Sequence, residues 1–283
     1  MAKNTFMRFP GGRAKAFTLS YDDGVEQDVQ LMSIFDKYGL KCTFNINSGS
    51  YSPEGAVFAP GFVHRHLTEA ATLATYKDTP HEVAIHTYNH PHLECLSSAE
   101  VVYQVMKDRE NLENMFGRPI RGMAYPYGTF NDTVVEALRA CGVVYSRTTV
   151  STEGFEIPKD WLRLPATCHH QNPRLMELGE KFVDMKLTDG AHGPKLFYLW
   201  GHSYEFEQRD NWELIENFCA FISGREDIWY ATNMEIFEYI EAYNRLVWSA
   251  NAKYVYNPTC FTIWFVYNGK QFEIKPGEQI CTC

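Results

Sequence analysis

Residues 16–46 read AFTLSYDDGVEQDVQLMSIFDKYGLKCTFNI. The run Ala16–Ser20 is short, apolar and suited to a buried strand, and Cys42–Ile46 is a second run of the same kind. Between them, Gln27–Tyr38 places Val29, Met32, Phe35 and Tyr38 near one helical face and stops at Gly39. Strand, helix and strand at this spacing predict a β-α-β unit with parallel strands.

The alternation continues outward. Further strands are predicted at Glu82–His86, Ile120–Tyr125, Val143–Arg147, Leu162–Ala166, Leu196–Trp200 and Ile228–Ala231. Ser97 and Glu100 form a capping box that opens a helix running through Val101, Val105, Met106 and Leu112 to Gly117, with Pro119 beyond. Asp132–Ala140 ends at Cys141-Gly142, Asn211–Ile222 ends at Ser223-Gly224, and Met234–Leu246 follows the last strand. Seven or eight such units predict an α/β protein built as a (β/α) barrel, closed or irregular. The alternative is a doubly wound open sheet; no GxGxxG follows the first strand, which lowers its dinucleotide-binding form.

Residues 248–283 change character. CFTIWFVY at 260–267, then Asn268-Gly269, then KQFEI predict a β-hairpin, because both turn residues tolerate positive φ. The expected division is a barrel over 1–247 and a small C-terminal β appendage over 248–283, packed on it. Carbohydrate binding by Trp264 and the tyrosines there is the alternative to packing.

The composition narrows the function classes. With 45% hydrophobic, 22% charged and 15% aromatic residues, the chain has the apolar surface for a full core. A formal net charge of -9 argues against nucleic acid, whose phosphates need a basic face. No run approaches the roughly 20 apolar residues of a membrane helix. The first residues, MAKNTFMRFPGGRAKAFTLS, lack the apolar core of a signal peptide. The eight cysteines form no CxxC pair, which fits free thiols in a reducing compartment. A cytoplasmic protein with no membrane or nucleic-acid partner is the expectation.

Four segments carry chemistry, each at the C-terminal end of a predicted strand, where barrel enzymes place their sites. Ser20-Tyr21-Asp22-Asp23-Gly24 offers adjacent carboxylates, one able to hold a cation while the other accepts a proton; an ordinary Asp-Gly turn is the bland alternative. His86-Thr87-Tyr88-Asn89-His90-Pro91-His92 offers converging imidazoles in a loop, since Pro91 biases His90 away from helix. Tyr125-Pro126-Tyr127-Gly128 presents backbone N–H groups that can stabilise an oxyanion. Trp200-Gly201-His202 ends a late strand with a candidate general acid. Asp23, His86 and His90 together make a two-His, one-carboxylate set with open coordination positions.

The order DDG, H-[ST]-x-x-H-P, P-Y-G, then a late strand ending in His resembles the polysaccharide deacetylases of carbohydrate esterase family 4 (the NodB-homology domain). The likeness runs from about Phe17 to His202. It implies a distorted (β/α)7-8 barrel and a metal-dependent hydrolase that removes acetyl groups, mostly N-acetyl, from sugars, with zinc the expected divalent ion. It implies Asp22 as general base, Asp23, His86 and His90 as metal ligands, and His202 as the acid that protonates the leaving group. Tyr127 of Pro126-Tyr127-Gly128 would polarise the carbonyl through its backbone N–H.

Two departures mark a divergent branch. The Arg usual two places before the Pro is Ala124, and Arg121 would face the other way on a regular strand. Arg163 is the expected substitute for steadying the base. The Asp that tunes the acid has only a partial match in Asp160-Trp161, and a histidine of Cys168-His169-His170, His170 above all, is expected to line the cleft. The rival activities are an O-acetyl (xylan-type) sugar esterase, a catalytically impaired carbohydrate-binding barrel and a non-sugar amide hydrolase.

Overall fold

The computed structural model describes residues 5–187 and 192–283. In chain order the elements are β1 Thr5–Arg8, β2 Lys15–Asp22, α1 Asp28–Lys37, β3 Cys42–Ile46, α2 Glu69–Tyr76, β4 Glu82–Ile85 and α3 Ser98–Phe116. Then come β5 Gly122–Ala124, α4 Asp132–Ala140, β6 Tyr145–Ser151, β7 Leu164–Ala166, β8 Cys168–His169, α5 Leu175–Asp184 and β9 Lys195–Gly201. The last are α6 Tyr204–Gln208, α7 Trp212–Ile222, β10 Ile228–Tyr230, α8 Asn233–Asn244, β11 Val247–Trp248, β12 Tyr254–Tyr256, β13 Ile263–Tyr267, β14 Lys270–Ile274 and β15 Gln279–Cys281.

The main sheet runs β7-β6-β5-β4-β3-β2-β9-β8, all parallel. The segment holding β7 and β8 pairs with β6 at its start and with β9 at its end. Thr167, between the two, donates its N–H to Tyr198 O at 2.8 Å. Hydrogen bonding therefore continues from β6 through one short irregular segment to β9, which gives the distorted (β/α) barrel. β10 adds to the first half of β2, on the edge where β3 pairs with the second half.

Period-2 alternation sorts the side chains. On β2, Phe17, Leu19 and Tyr21 face the helices, where Phe17 meets Phe218 of α7 and Tyr21 meets Phe35 of α1. Thr18, Ser20 and Asp22 point into the barrel, where Thr18 Oγ1 donates to Asn233 and Ser20 and Asp22 meet Asn45. The parity is set by the pleat, so the inward row of β2 ends in a carboxylate at the mouth.

The helices have the predicted punctuation. α3 begins with the Ser97–Glu100 capping box and ends on Gly117 in the left-handed region. The predicted hairpin is present as β13 and β14, turning at Asn268 (φ 48) and Gly269 (φ 78). Its sheet is completed by β1 from the other end of the chain, antiparallel to β13. A second apolar cluster joins β1, α8 and these strands through Met7, Phe9, Tyr239, Ile240, Phe265 and Ile274. No strand was predicted at β1 and no helix at α2 or α5, although Thr68 caps α2 through its side chain.

Candidate active site

The four segments converge where β2, β4, β5 and β9 end. The backbone leaves these strands abruptly. Asp23 (φ 84), Thr87 (φ 67), His90 (φ 55) and Tyr127 (φ 57) all lie in the left-handed region without being glycine. Such residues cost about 1–3 kcal/mol each and persist only where their surroundings fix them.

Asp23, His86 and His90 come together, with one ligand atom from each lying within 4.8 Å of the others. Asp23 Oδ1 is 3.5 Å from His86 Nε2 and 3.7 Å from His90 Nε2. His86 Nδ1–H donates to Ala124 O at 2.8 Å, which fixes the tautomer and leaves the Nε2 lone pair facing the carboxylate. That Nε2 is buried and has no hydrogen-bond partner among the described residues. Burial, then His86, pull the His90 imidazole down to about 4, so it is neutral, as a ligand must be. Two imidazoles and one carboxylate around an unsatisfied buried nitrogen fit a divalent cation.

Asp22 sits beside this cluster and is fully enclosed. Its Oδ2 accepts from the Arg147 guanidinium and its Oδ1 accepts from Asn45 Nδ2 at 2.8 Å. Burial works to raise its carboxyl; Arg147, His86 and His202 outweigh burial and hold it below the usual carboxylate range. Arg147 is itself buried, stacked on Trp200 at 4.4 Å. His202 Nε2 is 3.8 Å from Asp22 Oδ2, and its Nδ1 is 3.0 Å from Glu205 Oε1. Burial opposes the imidazolium, but Glu205 and the charges of Asp23 and Asp22 push it up to about 9. An ionised carboxylate and a protonated imidazole thus share one pocket at neutral pH.

A family profile described as "Polysaccharide deacetylase" matches residues 10–146, the part of the chain carrying the first three segments. Over those residues the chain is similar to the polysaccharide deacetylases. A peptidoglycan-N-acetylglucosamine deacetylase of Listeria monocytogenes is 27% identical over 144 residues, 50% of this chain and 27% of its own. The match thus spans about a quarter of that relative. Two solved structures share the fold. One is described as a putative polysaccharide deacetylase of Mycobacterium smegmatis (TM-score 0.59, 16% identity, 83% of this chain and 93% of that one). The other is the Xyl-CE4 domain of a multidomain xylanase from the hindgut metagenome of Trinervitermes trinervoides (TM-score 0.50, 14% identity, 81% and 92%).

Within this barrel two expectations are corrected. Arg163 does not reach Asp22; it lies at the surface, paired with Asp160 and Asp132 at 2.6 Å each. The guanidinium on Asp22 is that of Arg147. β5 and β6 are in register with Ala124 opposite Arg147, so the neighbouring strand supplies Arg at the level where β5 has Ala. Parity was the available signal, because Arg147 faces inward with Ala124. Asp160 likewise has no part in tuning His202. It caps Leu162 N at 3.1 Å, and Glu205, three residues after His202, holds that imidazole instead. One acid near a histidine carries no distinctive pattern, so Glu205 was not predicted.

His170 is buried, with Nε2 at 3.0 Å from Glu205 Oε2 and its ring stacked on Phe206 at 4.2 Å. It lies behind Glu205 rather than on the cleft wall. Burial pulls its imidazole down, and it is neutral. A Cβ at Gly201 would sit 1.9 Å from His170 Nδ1, so only glycine fits before His202. Pro126 is buried, while the Tyr127 side chain is 54% exposed and lies stacked on His92 at 3.9 Å. Tyr127 also meets His90 edge-on at 4.5 Å, which places the Pro-Tyr-Gly turn against the imidazole loop.

Proposed function

We propose that the protein is a metal-dependent hydrolase that removes acetyl groups, N-acetyl by preference, from a carbohydrate. The observation that supports this most is the juxtaposition of a buried cation-ligand set with an Arg-held carboxylate and a protonated imidazole in one pocket. Asp23, His86 and His90 would hold the cation. When bound, the cation supplies Lewis acidity: it polarises the acetyl carbonyl and lowers the pKa of a coordinated water.

Asp22 takes the proton of the attacking water. Arg147 keeps Asp22 ionised and Asn45 fixes its other oxygen, so the base keeps one orientation. The backbone N–H of Tyr127 donates to the oxyanion that develops. His202 gives its proton from Nε2 to the departing nitrogen, with Glu205 holding Nδ1 and stabilising the imidazolium. An amine leaves poorly without a proton, and an imidazole held in its charged form suits that task better than release of an alcohol.

The relative's name specifies N-acetylglucosamine in peptidoglycan, which supports an N-acetyl sugar as the substrate class. No cysteine forms a disulfide, which fits a reducing compartment and hence a short soluble oligosaccharide. Among the described residues no helix is long and apolar enough to cross a membrane.

Acetate release from chitin oligosaccharides by the zinc-loaded protein tests the reading. Asp22→Asn should cut turnover by roughly 10²- to 10⁴-fold, the usual weight of a general base, while zinc content stays unchanged. Near-full activity in that variant would overturn the role of Asp22.

A further inference from the structure

The segment 63–67 crosses the edge of the site as a strap, and two of its histidines bond to Asp23. His64 Nε2–H donates to Asp23 Oδ2 at 3.0 Å. His66 Nδ1–H donates to the Asp23 carbonyl at 2.9 Å. Arg65, between them, is paired with Glu26 at 2.6 Å and with both carboxylate oxygens of Glu207 at 3.0 and 2.9 Å. Gln27 Nε2 donates to Val63 O at 2.7 Å. The backbone adds Leu67 N to Gly24 O at 3.0 Å and Glu26 N to Arg65 O at 2.8 Å. The strap is stapled to the turn that follows Asp23 and, through Glu207, to α6, which follows His202.

Asp23 needs such fixing. Its backbone is left-handed, a conformation that a non-glycine residue keeps only under constraint. Its carboxylate must also present one chosen oxygen. Oδ1 faces His86 and His90, whereas Oδ2 faces His64. A free carboxylate can rotate about its last bond and turn its oxygens away from the imidazoles. The His64 ring is in turn packed edge-on against Tyr204 and His66, each at 4.7 Å, so the donor is itself held.

We propose that His64 and His66 are positioning residues for the cation site: His64 fixes the Asp23 carboxylate with Oδ1 toward the imidazoles, and His66 holds its left-handed backbone. The proposal rests on reading Asp23, His86 and His90 as cation ligands. His64 bonds the oxygen turned away from them, so it is a partner of the ligand and not a ligand. Removing such a partner typically weakens metal binding by roughly 10- to 100-fold.

The test is zinc affinity of the chelator-stripped full chain, measured by competition with a chromophoric chelator. His64→Asn, whose amide is too short to replace Nε2, should bind zinc roughly 10- to 100-fold more weakly than wild type. His64→Gln, whose amide nitrogen reaches the Nε2 position, should recover most of that loss. The metal-free melting temperatures of the two variants should agree. Wild-type binding in His64→Asn, or equal weakness in both variants, would overturn the positioning role while leaving the cation site intact. No zinc binding by the wild-type chain would overturn both readings.

Discussion

Two carboxylates point into the same barrel and meet opposite fates. Asp22, at the mouth, lies against a guanidinium and between two imidazoles, and its carboxyl is held low. Glu82, at the start of β4 toward the other end, has only neutral donors: Tyr145 OH at 2.6 Å, Thr43 Oγ1 at 2.9 Å and Met234 N at 2.9 Å. Burial dominates there and raises its carboxyl. Burial alone therefore does not make a base; the charge of the neighbours decides. Among the described residues, His86 Nε2, Arg147 Nε and Asn45 Oδ1 lie near the mouth without hydrogen-bond partners, whereas Glu82 accepts from three donors. The mouth thus keeps polar atoms free for a ligand, whereas Glu82 is held by its neutral donors.

The comparison breaks most readily at Arg147. Arg147→Ala leaves the Asp22 charge buried and unpaired, and such a loss typically costs about 3–5 kcal/mol of stability. The surviving protein should show the acidic limb of its rate profile moved to higher pH, because the base has lost the cation that held it low. Chemical denaturation and a pH–rate profile check both halves. An unmoved acidic limb would separate Arg147 from the base.

A smaller effect is expected from Glu205→Gln. The sign follows from Glu205 favouring the charged imidazole of His202. Wild type should lose activity as pH rises through about 9. Without the carboxylate the imidazolium is less stable, so this basic limb should move down by about one pH unit or more, and kcat at neutral pH should fall. Wild-type placement of that limb would show that Glu205 does not act on His202.

The smallest effect on turnover belongs to Glu82→Gln, which should leave kcat within about twofold because no charged partner is lost. Its mark is on stability. A carboxyl raised in the folded state binds its proton more tightly there than in the unfolded chain. That contribution is present below the ordinary value of 4.5 and is lost as pH rises toward the folded value. The variant should show a flatter decline of stability above pH 4.5 than wild type. A steeper decline would mean that Glu82 is ionised in the native barrel, as Asp22 is.

Much of the upper barrel was legible because its chemistry sits at strand ends, and strand ends are marked by turn residues. Asp22-Asp23-Gly24, the His86–His90 pair and Trp200-Gly201-His202 each follow an apolar run that alternation places correctly. Arg147 was not assigned because its partner is set by register between two strands, and register needs the pairing itself. Arg163 and Asp160 have the right residue types but satisfy each other at the surface, three residues apart. Glu205 and the His64–His66 strap belong to segments without periodicity, and only tertiary packing brings them to His202 and Asp23. β1 was missed for the same reason: its partner β13 lies at the far end of the chain.

Asp23, His86 and His90 are proposed to hold one divalent cation. The most direct measurement is metal per chain by elemental mass spectrometry after zinc loading and exhaustive dialysis, for wild type and His86→Ala. One zinc ion per wild-type chain is expected, with nearly all of it lost in the variant and the fold retained by circular dichroism. Wild type emerging without metal, or the alanine variant keeping its full zinc, would contradict it.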